Sequence, residues 1–156
     1  MHEAIHAVST YYLNITDQKS LPKNIKTAIK EINYCYDLLK DAYIKENFYE
    51  NGRPKEGIDI EKAFNFWINN DQALYGLSSP SEMIAELTNP KFIEYIRKVD
   101  AKSKGKNIFQ KLIDSILELF KTNKEYKNIE KTVKEALLEL INNPNKQLLD
   151  NYTKER

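Results

Sequence analysis

Residues 22–43 read PKNIKTAIKEINYCYDLLKDAY, and the apolar positions fall at Ile25, Ile29, Ile32, Tyr36, Leu39 and Tyr43. The steps alternate fours and threes, the repeat that gathers side chains into one stripe along an α-helix. Such a stripe is a packing seam, so this stretch predicts a long helix lying against neighbouring helices, with Pro22 suited to its first turn. Cys35, the single cysteine, sits within the same pattern and reads as small core filler.

Working outward, the helical spacing continues almost everywhere. Upstream, a first helix runs through about Leu13 with Ile5, Val8 and Tyr12 on its buried side, and ITDQKSLP then breaks it. Downstream, FYENGRPKEGI at 48–58 carries turn signals at Asn51-Gly52 and at Gly57, suiting a short hairpin or an irregular loop. Asp59 can cap a short helix bearing Phe64 and Trp67. Two C-terminal helices follow, one with Ile108, Leu112, Ile116 and Phe120, the other with Ile129, Val133, Leu137 and Ile141. They are joined over Thr122–Lys124, short enough for an antiparallel helical hairpin. The fold class is mainly α, with at most a short β-hairpin near 48–58. DAKSKGKN, at 100–107, is the best boundary, dividing a core of residues 1–100 from a helical hairpin of residues 101–156 packed on it or appended to it.

The whole chain has 156 residues, enough for one domain with a real core. Hydrophobic residues make up 41% and charged residues 30%, a balance that suits folding rather than disorder. No apolar run approaches the roughly 20 residues of a membrane span, and no basic-then-apolar leader opens the chain, so neither a membrane nor secretion is expected. The net charge is +1 with both signs interspersed, which argues against nucleic acid as a partner. The 24 basic residues include only 3 arginines, the residue suited to forked contacts with phosphates and base edges. One cysteine allows no intrachain disulfide and fits a reducing compartment.

The chemistry concentrates at the front. Residues 2–6 read HEAIH, and the two histidines of the chain both fall in it. Four positions apart on a helix, His2 and His6 lie one above the other and can place two imidazole nitrogens on one zinc ion. Glu3 projects beside them, placed to act as general base on a zinc-activated water. The bland reading is a surface helix that happens to carry these residues. Against it, AVSTYYL continues an amphipathic helix, the setting that the spacing needs.

A catalytic zinc takes a third protein ligand, which here must be a carboxylate. SPSEMIAEL, at 79–87, puts Glu82 and Glu86 four apart on one face, so one can bind metal while the other orients a ligand histidine. Glu82 has a second explanation: Ser79-Pro80-Ser81-Glu82 is also a capping box, with Glu82 reaching back to the helix start. Capping does not explain Glu86, which occupies an inward-facing position.

HEAIH followed by E-x-x-A-E resembles the gluzincin metallopeptidases, the thermolysin-like group. YGLSSPSEMIAELTNPKF, at 75–92, is similar to a segment of metallopeptidase-like domains in large polyvalent proteins of phages and mobile elements. The resemblance covers residues 1–14 and 75–96. It implies zinc held by His2, His6 and Glu82, general-base duty for Glu3, and support of a ligand histidine by Glu86. It further implies hydrolysis of protein or peptide substrates by a phage-encoded protein located in the host cytoplasm or the virion, with other phage proteins as partners. Tyr75 is the best candidate to stabilise the oxyanion, and Tyr11 and Tyr12 are alternatives among ten tyrosines.

This sequence departs from that family twice. His6 and Glu82 stand 76 positions apart, so a helical insertion must fold around the site. The family's sheet, whose edge strand aligns the substrate, precedes the HExxH helix, whereas here the motif begins at residue 2. The expectation is therefore the C-terminal part of a longer protein, a processed product, or a domain completed by a partner. The alternative function is a catalytically inert helical module for structure or interaction in a virion-associated or injected phage protein.

Overall fold

Pro22 sets the start of the longest element. In the computed structural model, which describes residues 2–15, 18–122 and 130–142, helix α2 runs Lys23–Phe48. Pro22 stands one position outside it as the cap, and its carbonyl accepts from Ile25 and Lys26. At 26 residues α2 spans about 39 Å. Ile25, Ile29, Ile32, Leu39 and Tyr43 of the stripe are buried, while Tyr36 is half-buried. Cys35 is fully buried with its Sγ 3.9 Å from the Ile108 carbonyl. Burial, with smaller contributions from nearby charges, pushes its thiol up to about 12, which leaves it an inert filler.

Helix α1, His2–Leu13, buries Ile5, Val8 and Tyr12 as its spacing predicts, and Ser9 with them. After α2 the chain turns through strands β1, Tyr49–Glu50, and β2, Arg53–Pro54, paired antiparallel with Glu50 opposite Arg53. Asn51 and Gly52 both take left-handed backbone, φ 52° and 77°, the geometry a two-residue hairpin turn requires. Helix α3, Ile60–Asn69, starts at Asp59, whose Oδ1 accepts from the Lys62 N–H at 3.2 Å. It buries Phe64 and leaves Trp67 half-exposed against Phe48.

A 3₁₀ turn, Tyr75–Ser78, leads into helix α4, Pro80–Ala85, and a second 3₁₀ turn, Glu86–Thr88, follows it. Helix α5, Pro90–Ser103, is capped by Asn89 and extends through the first half of the expected boundary segment. Asp100 turns that corner: its carboxylate accepts from the N–H groups of Ile108 and Phe109 at 2.6 and 3.1 Å, capping helix α6, Ile108–Thr122, from the end of α5. Helix α7, Glu130–Asn142, buries Val133 and Leu137. The expected junction at 123–129, Ile129 included, and the side chain of Ile141 lie outside the described residues.

The chain is mainly helical. Helix α2 is central, with α6 packed along it and α3, α4 and α5 also against it; α1 packs on α4 and α6. One buried cluster runs from Ile5 through Leu39, Phe92 and Leu112 to Leu137, so residues on both sides of 100–107 share a core. Among the described residues, no helix is long and apolar enough to cross a membrane.

Candidate metal centre

The helix that carries HEAIH packs directly on the helix that carries Glu82. On α1, burying Ile5, Val8, Ser9 and Tyr12 leaves His6 at the margin of the buried stripe, half-buried and facing α4. The Ser9 hydroxyl donates to the His6 carbonyl at 3.1 Å. Across the junction, His6 Nε2 lies 3.9 Å from Glu82 Oε1, with the two side chains 43% and 25% exposed. Residues 76 positions apart are thus brought together at a partly open site.

On α4 the cap and the site use different parts of Glu82. Ser79 Oγ accepts from the Glu82 backbone N–H at 3.1 Å and lies 3.3 Å from Ser81 Oγ, with Pro80 in the first turn. The other half of a capping box, from Glu82 carboxylate to Ser79 N–H, is not formed among the described residues. The carboxylate instead approaches His6. One turn later, Glu86 is fully buried among Met83, Ile84, Ala85 and Leu87, and its backbone N–H bonds the carbonyls of Glu82 and Ile84.

The separation of His6 and Glu82 is close to what two ligands of one zinc ion would show. Ligand atoms at 2.0–2.2 Å around a tetrahedral centre stand roughly 3.3 Å apart, a few tenths of an ångström closer than this pair. Nitrogen and oxygen are also donor types that zinc accepts. The backbone of His2 opens α1 one turn before His6, and its side chain lies outside the described residues. Among the described residues, no group of three potential ligands is formed. Glu3 is exposed on the first turn of α1. Tyr75 stands half-buried at the head of the 3₁₀ turn before α4, and the described residues pair it with neither His6 nor Glu82.

The segment that delivers Glu82 is held at four points, none of which the sequence spacing revealed. Asp71 Oδ1 accepts from Ala73 and Leu74 at 2.8 and 3.2 Å. Asn89 Nδ2 donates to the Gln72 carbonyl at 3.1 Å, while its Oδ1 caps α5 through Lys91 N–H. The Tyr36 hydroxyl donates to the Leu77 carbonyl at 2.7 Å. Burial first, then the charges of Asp37 and Glu61, push that phenol up to about 12, so it remains a donor at neutral pH. Gly76 lies against the Phe92 ring so closely that a Cβ there would meet Cζ at 2.6 Å. One signal was available: Asn89-Pro90 is a cap followed by a first-turn proline.

No protein-family model matches the chain, and neither does any curated protein or solved structure.

Proposed function

We propose that the chain is a zinc-dependent metallopeptidase domain of the gluzincin kind, phage-encoded and acting on protein or peptide substrates. The observation that carries the reading is the 3.9 Å approach of His6 Nε2 to Glu82 Oε1, made by two motifs far apart in sequence. In this reading His2, His6 and Glu82 hold the metal, and Glu86 supports a ligand histidine from the buried side. Zinc bound there supplies a Lewis acid that acidifies water and polarises a carbonyl. Glu3, exposed on the first turn of α1, would take the proton from the attacking water on its carboxylate. Tyr75 donates to the developing oxyanion.

The test begins with elemental zinc in the purified chain, where about one ion per chain is expected and His6→Ala and Glu82→Ala each lose it. Hydrolysis of denatured casein follows, with Glu3→Gln expected to retain zinc and lose turnover. Zinc content indifferent to His6→Ala would refute the reading. A second reading, an inert interaction module of a virion-associated phage protein, draws support from α3. Phe66 is 69% exposed and Trp67 48% exposed on that helix, surface of a kind that partners cover. Stoichiometric zinc without hydrolysis favours it.

A further inference from the structure

We propose that Tyr36 is a positioning residue for Glu82, its hydroxyl fixing from the central helix the turn that decides where the Glu82 carboxylate stands relative to His6. The inference rests on the zinc reading and adds to it a residue outside both motifs. Tyr36 belongs to the buried stripe of α2 yet is half-buried where its neighbours Ile32 and Leu39 are fully so. A tyrosine in such a place needs a partner for its hydroxyl, and it finds the Leu77 carbonyl at 2.7 Å.

That carbonyl is well placed for leverage. Leu77 is fully buried, its N–H bonds the Leu74 carbonyl at 2.9 Å, and Gly76 just before it is seated on Phe92. Two residues later Ser79 caps α4, and its hydroxyl receives the backbone N–H of Glu82 itself. The path from the Tyr36 hydroxyl to Glu82 therefore runs through the end of one 3₁₀ turn and one cap. A metal site tolerates displacements of roughly 0.5 Å before its geometry degrades. Releasing Leu77 loosens the start of α4, and with it the spacing to His6.

Tyr95 supplies a matched control. Its hydroxyl donates to the Leu39 carbonyl at 2.8 Å, also from a half-buried ring, but it ties α5 to α2 rather than holding the turn before α4. Zinc affinity is measured by competition with a chromophoric chelator, on full-length chains whose circular dichroism matches the wild type. Tyr36→Phe is expected to weaken zinc binding about three- to tenfold, below the loss seen for groups that touch a ligand directly. Tyr95→Phe, which removes the same kind of bond, is expected to stay within about twofold of the wild type. Should Tyr36→Phe fail to fold, Asn89→Asp serves in its place. It keeps the oxygen that caps α5 but loses the donor to Gln72, releasing the same segment from its other end. Equal affinities for the Tyr36 and Tyr95 variants overturn the inference and leave the zinc reading standing. Absence of stoichiometric zinc in the wild type overturns both.

Discussion

Gly76→Ala offers a demanding check on the packing beneath the candidate site. The backbone there lies outside the left-handed region, so alanine meets no torsional barrier. In such a place the substitution ordinarily stabilises by about 0.4–1 kcal/mol, through the unfolded chain. Here the added Cβ would lie 2.6, 2.7 and 3.0 Å from Cζ, Cε2 and Cε1 of Phe92. Carbon atoms rest at roughly 3.5–4.0 Å, so the ring must retreat by about 1 Å. Phe92 has nowhere easy to go, being fully buried and stacked with Tyr95 at 6.4 Å between centroids. Overpacking of this kind costs about 1–3 kcal/mol and outweighs the entropic gain.

The expected net loss is about 1–2 kcal/mol, read in urea as a midpoint lowered by roughly 0.5–1 M at a typical slope for this size. A cycle with Phe92→Leu isolates the cause. Alone, that change opens a cavity and costs about 1 kcal/mol or more. Combined with Gly76→Ala it relieves the clash, so the two changes together destabilise less than their sum by about 1 kcal/mol. Gly52→Ala is the contrasting case, with nothing within 4 Å of its Cβ but φ at 77°, so its cost of about 1–2 kcal/mol is torsional and indifferent to Phe92. A Gly76→Ala chain as stable as the wild type, or strict additivity with Phe92→Leu, would refute the reasoning.

Cys35 should resist thiol reagents at pH 8 in the folded chain and react fully in guanidinium, since its thiol is pushed up to about 12. Burial likewise raises Tyr36 to about 12 and Tyr95 further. Unfolded chains ionise near pH 8.5 at cysteine and about 10 at tyrosine, so the urea midpoint should hold through pH 8 and fall above about 9. Tyr95→Phe should make that alkaline fall shallower, and an unchanged slope would contradict the assignment. Asp100→Ala removes both cap bonds of α6 and should cost about 1–2 kcal/mol in urea, with Asp100→Asn recovering part. Glu86→Met should leave urea stability within about 1 kcal/mol of the wild type or raise it, while weakening zinc binding; a loss above about 3 kcal/mol would mark Glu86 as structural.

The fold was legible because its signals are local. The α2 stripe, the Asp59 cap and the Asn51-Gly52 turn each depend on residues a few positions apart, and each formed where its chemistry placed it. Helix α5 carries an equally local signal, Asn89-Pro90 followed by Phe92, Ile93, Ile96 and Val99, and sequence reading overlooked it because the stretch was absorbed into a motif. Of the capping box expected at Glu82 only one half formed: its backbone N–H satisfies the Ser79 cap, while its carboxylate approaches His6 instead of reaching back. The Tyr36 clasp was not legible. Which carbonyl a tyrosine reaches across 41 positions depends on how α2 and the turn before α4 pack, and no local rule encodes that.

Glu86 is where stability and site chemistry diverge. Its neighbours Met83, Ile84, Ala85, Leu87 and Thr88 are all buried, and it is as fully enclosed as any of them. Removing a carboxylate from water costs several kcal/mol even when it keeps polar company, so an apolar side chain would serve the core at least as well. Capping gives no reason for it, since the cap of α4 is made by Ser79 about two turns earlier. What distinguishes the position is its register: it follows Glu82 by four residues, at the C-cap of α4. Among the described residues Glu86 is the one buried carboxylate, so its proposed support of a ligand histidine gives a reason for a charge that core packing does not ask for.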